Sequence, residues 1–308
     1  MITALCGGVG GSKLALGLHR TLPPDSLTVI VNVADDTEFF GLRVSPDLDT
    51  VLYTLAGVAG PRGWGIAGDT FAALEQLERY GAPGWFKVGD RDLATDIVRT
   101  DGLRQGRRLT EITGDFARAL GVRARILPAS DGQPETALRV GDEWLPFQEY
   151  FVHRAHNVPV EEIQYRNLDA GTTPEVLAAL RDSDLIVIVN SNPVLSILPI
   201  LAFTRVRQAI ERRSVPCVAV SPMVGQNSVA GPAGELMRLV GQPATSTGVA
   251  SIYHGLIDGI VIDRSDEGQV GAIRGMGVAV RCTDTVMRSD ADKERLAGET
   301  LAFAAELR

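Results

Sequence analysis

Cysteine, histidine and surplus positive charge are all scarce in this chain of 308 residues, and each scarcity removes a class of function. The three cysteines, Cys6, Cys217 and Cys282, are odd in number, far apart and in no CxxC pair. That excludes a disulfide framework and a thiolate zinc site, and leaves them as small buried hydrophobes. The four histidines, His19, His153, His156 and His254, show no metal-ligand spacing, so each reads as a surface or packing residue and any metal would be held by oxygen. A formal net charge of -8 with a pI near 5.1 argues against affinity built on neutralising nucleic-acid phosphates; any phosphate bound here is held locally. No stretch approaches the ~20 apolar residues that span a bilayer, and Gly7 to Gly11 interrupt the opening apolar run too early for a secretory signal. The expectation is a cytoplasmic protein with no membrane and no nucleic-acid partner.

What is present is a core. With 45% hydrophobic residues the chain can bury one large core, or a core with a subdomain, since single cores stop growing at about 250–300 residues. Thr3 to Cys6 is a short apolar run, followed by glycines and then by Leu14, Leu16 and Leu18 before Pro23: a strand, a tight loop and a helix stopped by proline. Leu27 to Val33, Leu185 to Val189 and Val215 to Val220 are further apolar runs without polar alternation. Such strands, separated by helices, predict an α/β fold with a mostly parallel sheet covered by helices on both faces. Phe71, Leu74 and Leu77 closed by Gly81, and Leu109 to Leu120 closed by Gly121, predict helices, and Asp90 to Gly121 reads as mostly helical. The chain from about 64 to 170 is therefore expected to be a largely helical subdomain inserted into a core made of about 1–63 and 171–308. Ala291 to Leu307 predicts a terminal helix whose Leu296, Thr300, Phe303 and Leu307 pack on the body.

Two constellations carry chemistry. Gly7-Gly8-Val9-Gly10-Gly11-Ser12-Lys13 lies between the first strand and the first helix, where unpaired N–H groups and the helix dipole favour an anion. The loop lacks the Walker A spacing, and Lys13 stands where GxGxxG needs its last glycine. Asp35-Asp36-Thr37 follow the second strand at the carboxyl edge, where open α/β sheets place ligands; adjacent carboxylates beside a diphosphate point to Mg²⁺. In Ser45-Pro46-Asp47-Leu48-Asp49, Ser45 suits a helix cap and Pro46 the first turn. Asp47 serves equally as dipole compensation there, whereas Asp49 has no capping left to do and is a candidate for chemistry.

These pieces in this order resemble the 2-phospho-L-lactate transferase family, whose bacterial members act as phosphoenolpyruvate transferases in coenzyme F420 synthesis. The similarity runs nearly end to end, through CGGVGGSK from Cys6, NVADDTEFFGLRVSPDLDTVLYTLAG from Asn32, GWGIAGDTF from Gly63, WFKVGDRDLATDIVR from Trp85, LPASD from Leu127, FQEYFV from Phe147, NSNPVLSILPIL from Asn190 and VSPMVGQNSVAGPA from Val220. The resemblance implies a dimeric, Rossmann-like enzyme that binds a guanosine diphosphate (GDP) ester of a three-carbon acid and the deazaflavin alcohol Fo. The terminal ribityl hydroxyl of Fo would attack the phosphorus nearest the acid, and GMP would leave. By the same resemblance Gly8, Gly10, Gly11, Ser12 and Lys13 hold the diphosphate, Asn190, Ser191, Asn192 and Pro193 the guanosine, and Thr50, Tyr53, Asp90, Arg91, Asp92 and Leu93 the deazaflavin. Asp35, Asp36 and Asp49 would be catalytic, with Asp35 and Asp49 holding Mg²⁺ or the attacking hydroxyl.

From the residues alone, Gly89 to Arg99 reads first as an ordinary helix start with its charges on a solvated face, and Trp64, Trp85 and Phe86 either stack on a tricyclic ring or anchor the inserted segment. The carried acid stays open among phosphoenolpyruvate, 2-phospho-L-lactate and 3-phosphoglycerate. Two other functions are compatible with parts of the pattern: a nicotinamide dehydrogenase, whose glycine fingerprint is incomplete here, and a non-catalytic regulator that binds nucleotide sugars and shares a glycine-rich start. Lys13→Ala is expected to weaken the GDP-linked donor by a charge-assisted contact worth about 1.5–3 kcal/mol while leaving Fo affinity nearly unchanged. Calorimetric titration of each ligand checks this, and equal weakening of both counts against the loop assignment.

Overall fold

Apolar runs without alternation need cover on both faces, and the four singled out above do meet in one sheet. The structure, a computed structural model, describes residues 1–225, 227–228 and 233–307, so parts of the Val220 stretch lie outside the described residues. Across the seven-stranded sheet the order is Ala279–Thr283, Gly259–Asp263, Cys217–Val220, Leu185–Ile188, Ile2–Cys6, Leu27–Val31 and Arg125–Pro128. Every neighbouring pair is parallel. Ile2–Cys6 is the pivot, with Leu5 in register with Ile30 on one side and Ile188 on the other. The chain leaves it toward Leu27–Val31, while the strand on its other flank comes from much later in the sequence. The loops after these strands therefore diverge and open a crevice at the carboxyl edge.

Helix α1 (Gly8–Thr21) follows the pivot strand and packs between α2 (Pro46–Leu55) and the terminal helix Asp290–Ala305. Leu296, Thr300 and Phe303 of that terminal helix are buried as the stripe predicts, and Ser289 with Asp292 forms its capping box. The approach to α1 is close enough that a Cβ on Gly17 would stand 2.1 Å from the Lys293 carbonyl oxygen.

The inserted segment departs from the expectation of a largely helical subdomain. It contains α3 (Ala72–Arg79), α4 (Asp90–Arg104) and α5 (Leu109–Ala119), but also Arg125–Pro128, which joins the main sheet as its edge strand. A three-stranded antiparallel sheet, Glu143–Pro146, Glu135–Val140 and Glu162–Arg166, follows. A division at 64 and 170 thus cuts across the core. Arg-Ile-Leu-Pro is too short to stand out as a strand, and its proline is tolerated because an edge strand has one side without ladder partners.

Within this segment α3 and α4 cap each other. Asp90 accepts from the N–H groups of Ala72 (3.1 Å) and Ala73 (2.9 Å), and Asp69 from those of Arg91 (2.9 Å) and Asp92 (3.1 Å). Helix α4 also inverts the usual pattern: Asp96, Arg99 and Thr100 are buried while Ile97 and Val98 are exposed. Among the described residues no single helix is long and apolar enough to cross a membrane; the pair Pro193–Ala202 and Thr204–Glu211 passes by composition but is bent by 92°. Gly17→Ala is expected to lower stability by about 1–3 kcal/mol, the overpacking term exceeding the ~1 kcal/mol gained in helix propensity. Urea unfolding measures it, and an unchanged or higher midpoint would mean that the two helices separate freely.

Candidate active site

The divergence of loops at the pivot strand leaves a cavity of about 600 Å³ along the carboxyl edge. Its upper wall is the start of α1. Gly7 is the N-cap, no side chain of its own caps the helix, and the first turn carries no acid. The Gly8 N–H is taken by the Asp47 carboxylate, and the dipole and the rest of the first turn lie at the cavity with Lys13 beside them.

The glycines have distinct duties. Gly8 adopts φ +64, open to glycine at little cost. A Cβ on Gly11 would lie 2.0 Å from Ser191 Oγ, and one on Gly7 would lie 2.5 Å from Asp47 Oδ2. Ser191 clasps the crevice: its Oγ accepts from Gly7 N–H (3.0 Å) and donates to Gly7 C=O (2.7 Å). Ser12 turns inward, its Oγ donating to the Val9 carbonyl, and with Gly11 it does not line the cavity.

The floor is a nest of buried acids. Asp35, Asp47 and Asp49 line the cavity, and Asp36 and Asp96 lie beneath. Against them stand Arg43, 3.0 Å from Asp36 Oδ2, and the fully buried Arg99, which donates to Asp49 and to Asp96 Oδ1 (2.7 Å) and to the Arg43 carbonyl (3.2 Å). Ser45, expected as a helix cap, makes no capping bond; its Oγ donates instead to Asp36 Oδ2 at 2.7 Å, because the charged partner outcompetes a backbone N–H. Asp35 Oδ1, Asp36 Oδ1 and Asp96 Oδ2 are buried without a hydrogen-bond partner, and of these three acids Asp35 is the one that lines the cavity.

Burial, reinforced by the charge of Asp47, pushes the Asp35 carboxyl well above the usual carboxylate range. Burial raises Asp36 against the pull of Arg43, and Asp49 against that of Arg99. Asp47 is pushed up to about 7 by burial, held back by Asn32 Nδ2 (3.2 Å) and the Gly8 N–H. Burial and the charge of Asp49 bring Asp92 to about 6 and Asp96 to about 8.

The opposite wall is apolar and aromatic: Trp64, Phe86, Phe147, Phe151, Val152 and Met287. Two wide helical turns with i→i+5 bonds border the cavity, Arg154 N–H to Glu149 C=O (3.0 Å) and Ile197 N–H to Asn192 C=O (3.2 Å), and such turns recur at functional sites. A wider groove of about 810 Å³ runs beside α5 and Arg125, away from the crevice. Its charges largely satisfy one another, as Arg108 does with Glu175 and Arg107 with Asp115.

Of the residues expected here, Gly8, Gly10, Lys13, Asp35, Asp49, Thr50, Asp92, Asn190, Ser191 and Asn192 line the cavity. Asn192 also caps its own turn, its Oδ1 accepting from Val194 (2.9 Å) and Leu195 (3.1 Å), and Pro193 is buried behind it. Tyr53 is buried with its hydroxyl 2.8 Å from both Asp92 Oδ1 and Thr95 Oγ1, and Asp90 is engaged as the cap of α3. Arg91 is exposed and Leu93 packs on Val44, Phe86 and Val88.

The alternative of charges on a solvated face fails for Asp96 and Arg99, which point inward. Asp92, Asp96 and Arg99 fall at i, i+4 and i+7, one helical stripe that a period count on charges instead of apolar residues would have found. Of the aromatics left open, Trp64 and Phe86 line the cavity, while Trp85 stacks on His153 at 4.8 Å. Asp47, Arg62, Lys87, Phe147, Gln148, Phe151 and Ser196 join the lining without having been assigned to it.

A helix N-terminus with Lys13 beside it, set next to a buried acidic floor at a switch-point crevice, defines an α/β enzyme suited to phosphorylated ligands. Residues 2–291 match the family described as 2-phospho-L-lactate transferase CofD. The chain belongs to this family, and its activity is that of a transferase. It is 39% identical to the phosphoenolpyruvate transferase of Streptomyces griseus, over 100% of this chain and 99% of that one. It is 38% identical to the 2-phospho-L-lactate transferase of Methanospirillum hungatei, over 98% of this chain and 99% of that one. A crystal structure of a UPF0052 family protein from Bacillus halodurans shares the fold, with a TM-score of 0.67 at 18% identity over 97% of this chain and 98% of that chain.

The raised carboxyls make stability pH-dependent. An acid whose folded pKa exceeds its unfolded value near 3.8 binds more protons in the native state between the two, so native stability falls as pH rises from about 4, with the Asp47 contribution ending near 7 and that of Asp96 near 8. Asp47→Asn is expected to flatten that decline by on the order of 3 kcal/mol across this range. Urea midpoints of the ligand-free proteins from pH 4 to 8 give the comparison; parallel curves for parent and variant would show that Asp47 ionises as it does in water.

Proposed function

We propose that this chain transfers a phospho-three-carbon acid, 2-phospho-L-lactyl or enolpyruvyl phosphate, from its GDP-activated donor to the terminal ribityl hydroxyl of Fo, releasing GMP, in coenzyme F420 biosynthesis. The observation that carries this reading is a single cavity joining the N-terminus of α1 and Lys13 to an aromatic wall across a floor of buried carboxylates. The diphosphate belongs at α1. Guanine belongs toward Asn190, whose buried Oδ1 lacks a partner and suits a ring N–H. The flat acceptor ring suits Trp64, Phe86, Phe147 and Phe151 better than the Asp90 to Leu93 turn, with Thr50 and Asp92 at its rim.

In this reading the hydroxyl oxygen attacks the phosphorus next to the acid, the bond from that phosphorus to the GMP oxygen breaks, and the hydroxyl proton passes to a floor carboxylate. Asp35 is the acid we assign to the hydroxyl, because of the acids with an unshared oxygen it is the one that lines the cavity, and burial raises its affinity for a proton. Asp36 and Asp49 are already neutralised, by Arg43 and Arg99, and serve to hold the floor in shape. Asp35 Oδ1, unpartnered with Asp47 beside it, is the oxygen a hard divalent cation would use, together with the phosphates of the donor, since among the described residues no three acids, histidines or cysteines are grouped to hold a metal by themselves. Mg²⁺ bound there would spread the charge of the transferred phosphoryl group.

A cytoplasmic location and a homodimer belong to the same proposal, and Ile97 (49% exposed) and Val98 (55%) on the outer face of α4 suit contact with a second copy. Incubation with Fo, the GDP-linked donor and Mg²⁺ should yield, by mass spectrometry, GMP and Fo carrying the phospho-acid. Asp35→Asn should bind Fo but turn over at least about a hundredfold more slowly. Rescue by excess Mg²⁺ would mark Asp35 as a ligand and its failure as the base, whereas full turnover by the variant, or no product from the parent, would sink the reading.

A further inference from the structure

The proposed donor carries three anionic groups, two phosphates and the carboxylate common to all three candidate acids, so its recognition needs more than a phosphate loop. The cationic side chains lining the cavity are Lys13, Arg62 and Lys87. Lys13 stands at the helix N-terminus with the diphosphate, and Lys87 Nζ is 3.5 Å from Glu78 Oε1. Arg62 forms no ion pair and no side-chain hydrogen bond among the described residues, and its guanidinium lies over Trp64 with Cζ 5.3 Å from the ring centroid.

The loop that bears Arg62 is held in place. Gly60 N–H donates to the Gly65 carbonyl at 2.9 Å, and Gly63, at φ +87, approaches α1 so closely that a Cβ would stand 2.3 Å from Val9 Cγ1. Val9 is in the first turn of the helix that faces the diphosphate, so Arg62 is carried to the wall beside that end of the donor. A planar guanidinium fork, itself oriented by an indole face, matches two carboxylate oxygens in a way that an ammonium does not.

We infer that Arg62, stacked on Trp64, binds the carboxylate of the transferred three-carbon acid and so selects donors that carry one. This rests on the transferase reading above and adds to it the residue that recognises the acid.

The test is calorimetric titration of three ligands: GDP, its ethyl ester, and its L-lactyl ester, in which the terminal phosphate is joined to the 2-hydroxyl of lactate. Arg62→Gln should weaken the lactyl ester about tenfold to a hundredfold while moving GDP and the ethyl ester by less than about twofold. Arg62→Lys should recover part of the loss, and Lys87→Gln should change the lactyl ester by less than about twofold. A similar loss for all three ligands would make Arg62 a diphosphate contact, and a loss confined to Lys87→Gln would move the subsite to Lys87; either overturns the inference, as does an Arg62→Gln protein that still prefers the lactyl ester. A parent protein that binds none of the three would instead overturn the transferase reading, and this assignment with it.

Discussion

Arg99 reaches from α4 to Asp49 on α2 and to Asp96 on its own helix while only 2% exposed, and the acidic floor is arranged around that guanidinium. Buried carboxylates repel one another and lose their hydration, so a group of them persists only with cations in place or with some of its members protonated. Arg99 and Arg43 supply charge from within, but Asp35, Asp36, Asp47, Asp49, Asp92 and Asp96 outnumber them. The surplus raises the affinity of this floor for protons and for a hard cation. Removing one partner of such a buried pair typically costs about 3–5 kcal/mol, which ties the fold of α4 to the charge of the site.

The second constraint is topological. A parallel sheet brings every strand's carboxyl end to one edge, and the reversal of strand order beside Ile2–Cys6 parts the loops there. Ser191 bridges the parting through Gly7, and Gly11 and Gly7 let the neighbouring segments approach. Two of the glycines thus serve packing of the protein against itself, and the phosphate-facing surface is the helix end they make possible. The wide turns at Glu149–His153 and Pro193–Ile197 then bring Phe151, Leu195 and Ser196 to the opening, where regular helices would turn these residues elsewhere.

Backbone strain gathers on the aromatic side. Ala155 (φ 49) and His156 (φ 45) are consecutive left-handed residues without glycine, directly after the turn that presents Phe147, Gln148 and Phe151. Phe151 stacks on His156 at 5.0 Å and on Phe147 at 5.1 Å, so the strained corner is braced by the same rings that line the cavity. Gln148 Nε2 donates to the Asp35 carbonyl at 2.9 Å and links this wall to the floor.

The sequence by itself determined the sheet, the phosphate-facing loop and the family. Uninterrupted runs such as Leu185 to Val189 admit little but a covered parallel strand, and glycine spacing and motif order are local properties. It also determined that carboxylates would matter, since Asp35-Asp36 sit beside a strand end. Only the tertiary structure decided which of them is free. Asp49 stands out in the sequence because the start of its helix has no capping left for it to do; its partner, Arg99, lies fifty residues away on α4. The same distance hid the edge strand Arg125–Pro128, whose identity comes from Leu27–Val31 beside it, and the aromatic wall, drawn from Trp64, Phe86, Phe147 and Phe151 on separate segments. Periodicity reports which face of an element is buried; what lies against that face is set by packing between segments distant in sequence, and for a charged side chain that neighbour decides its role.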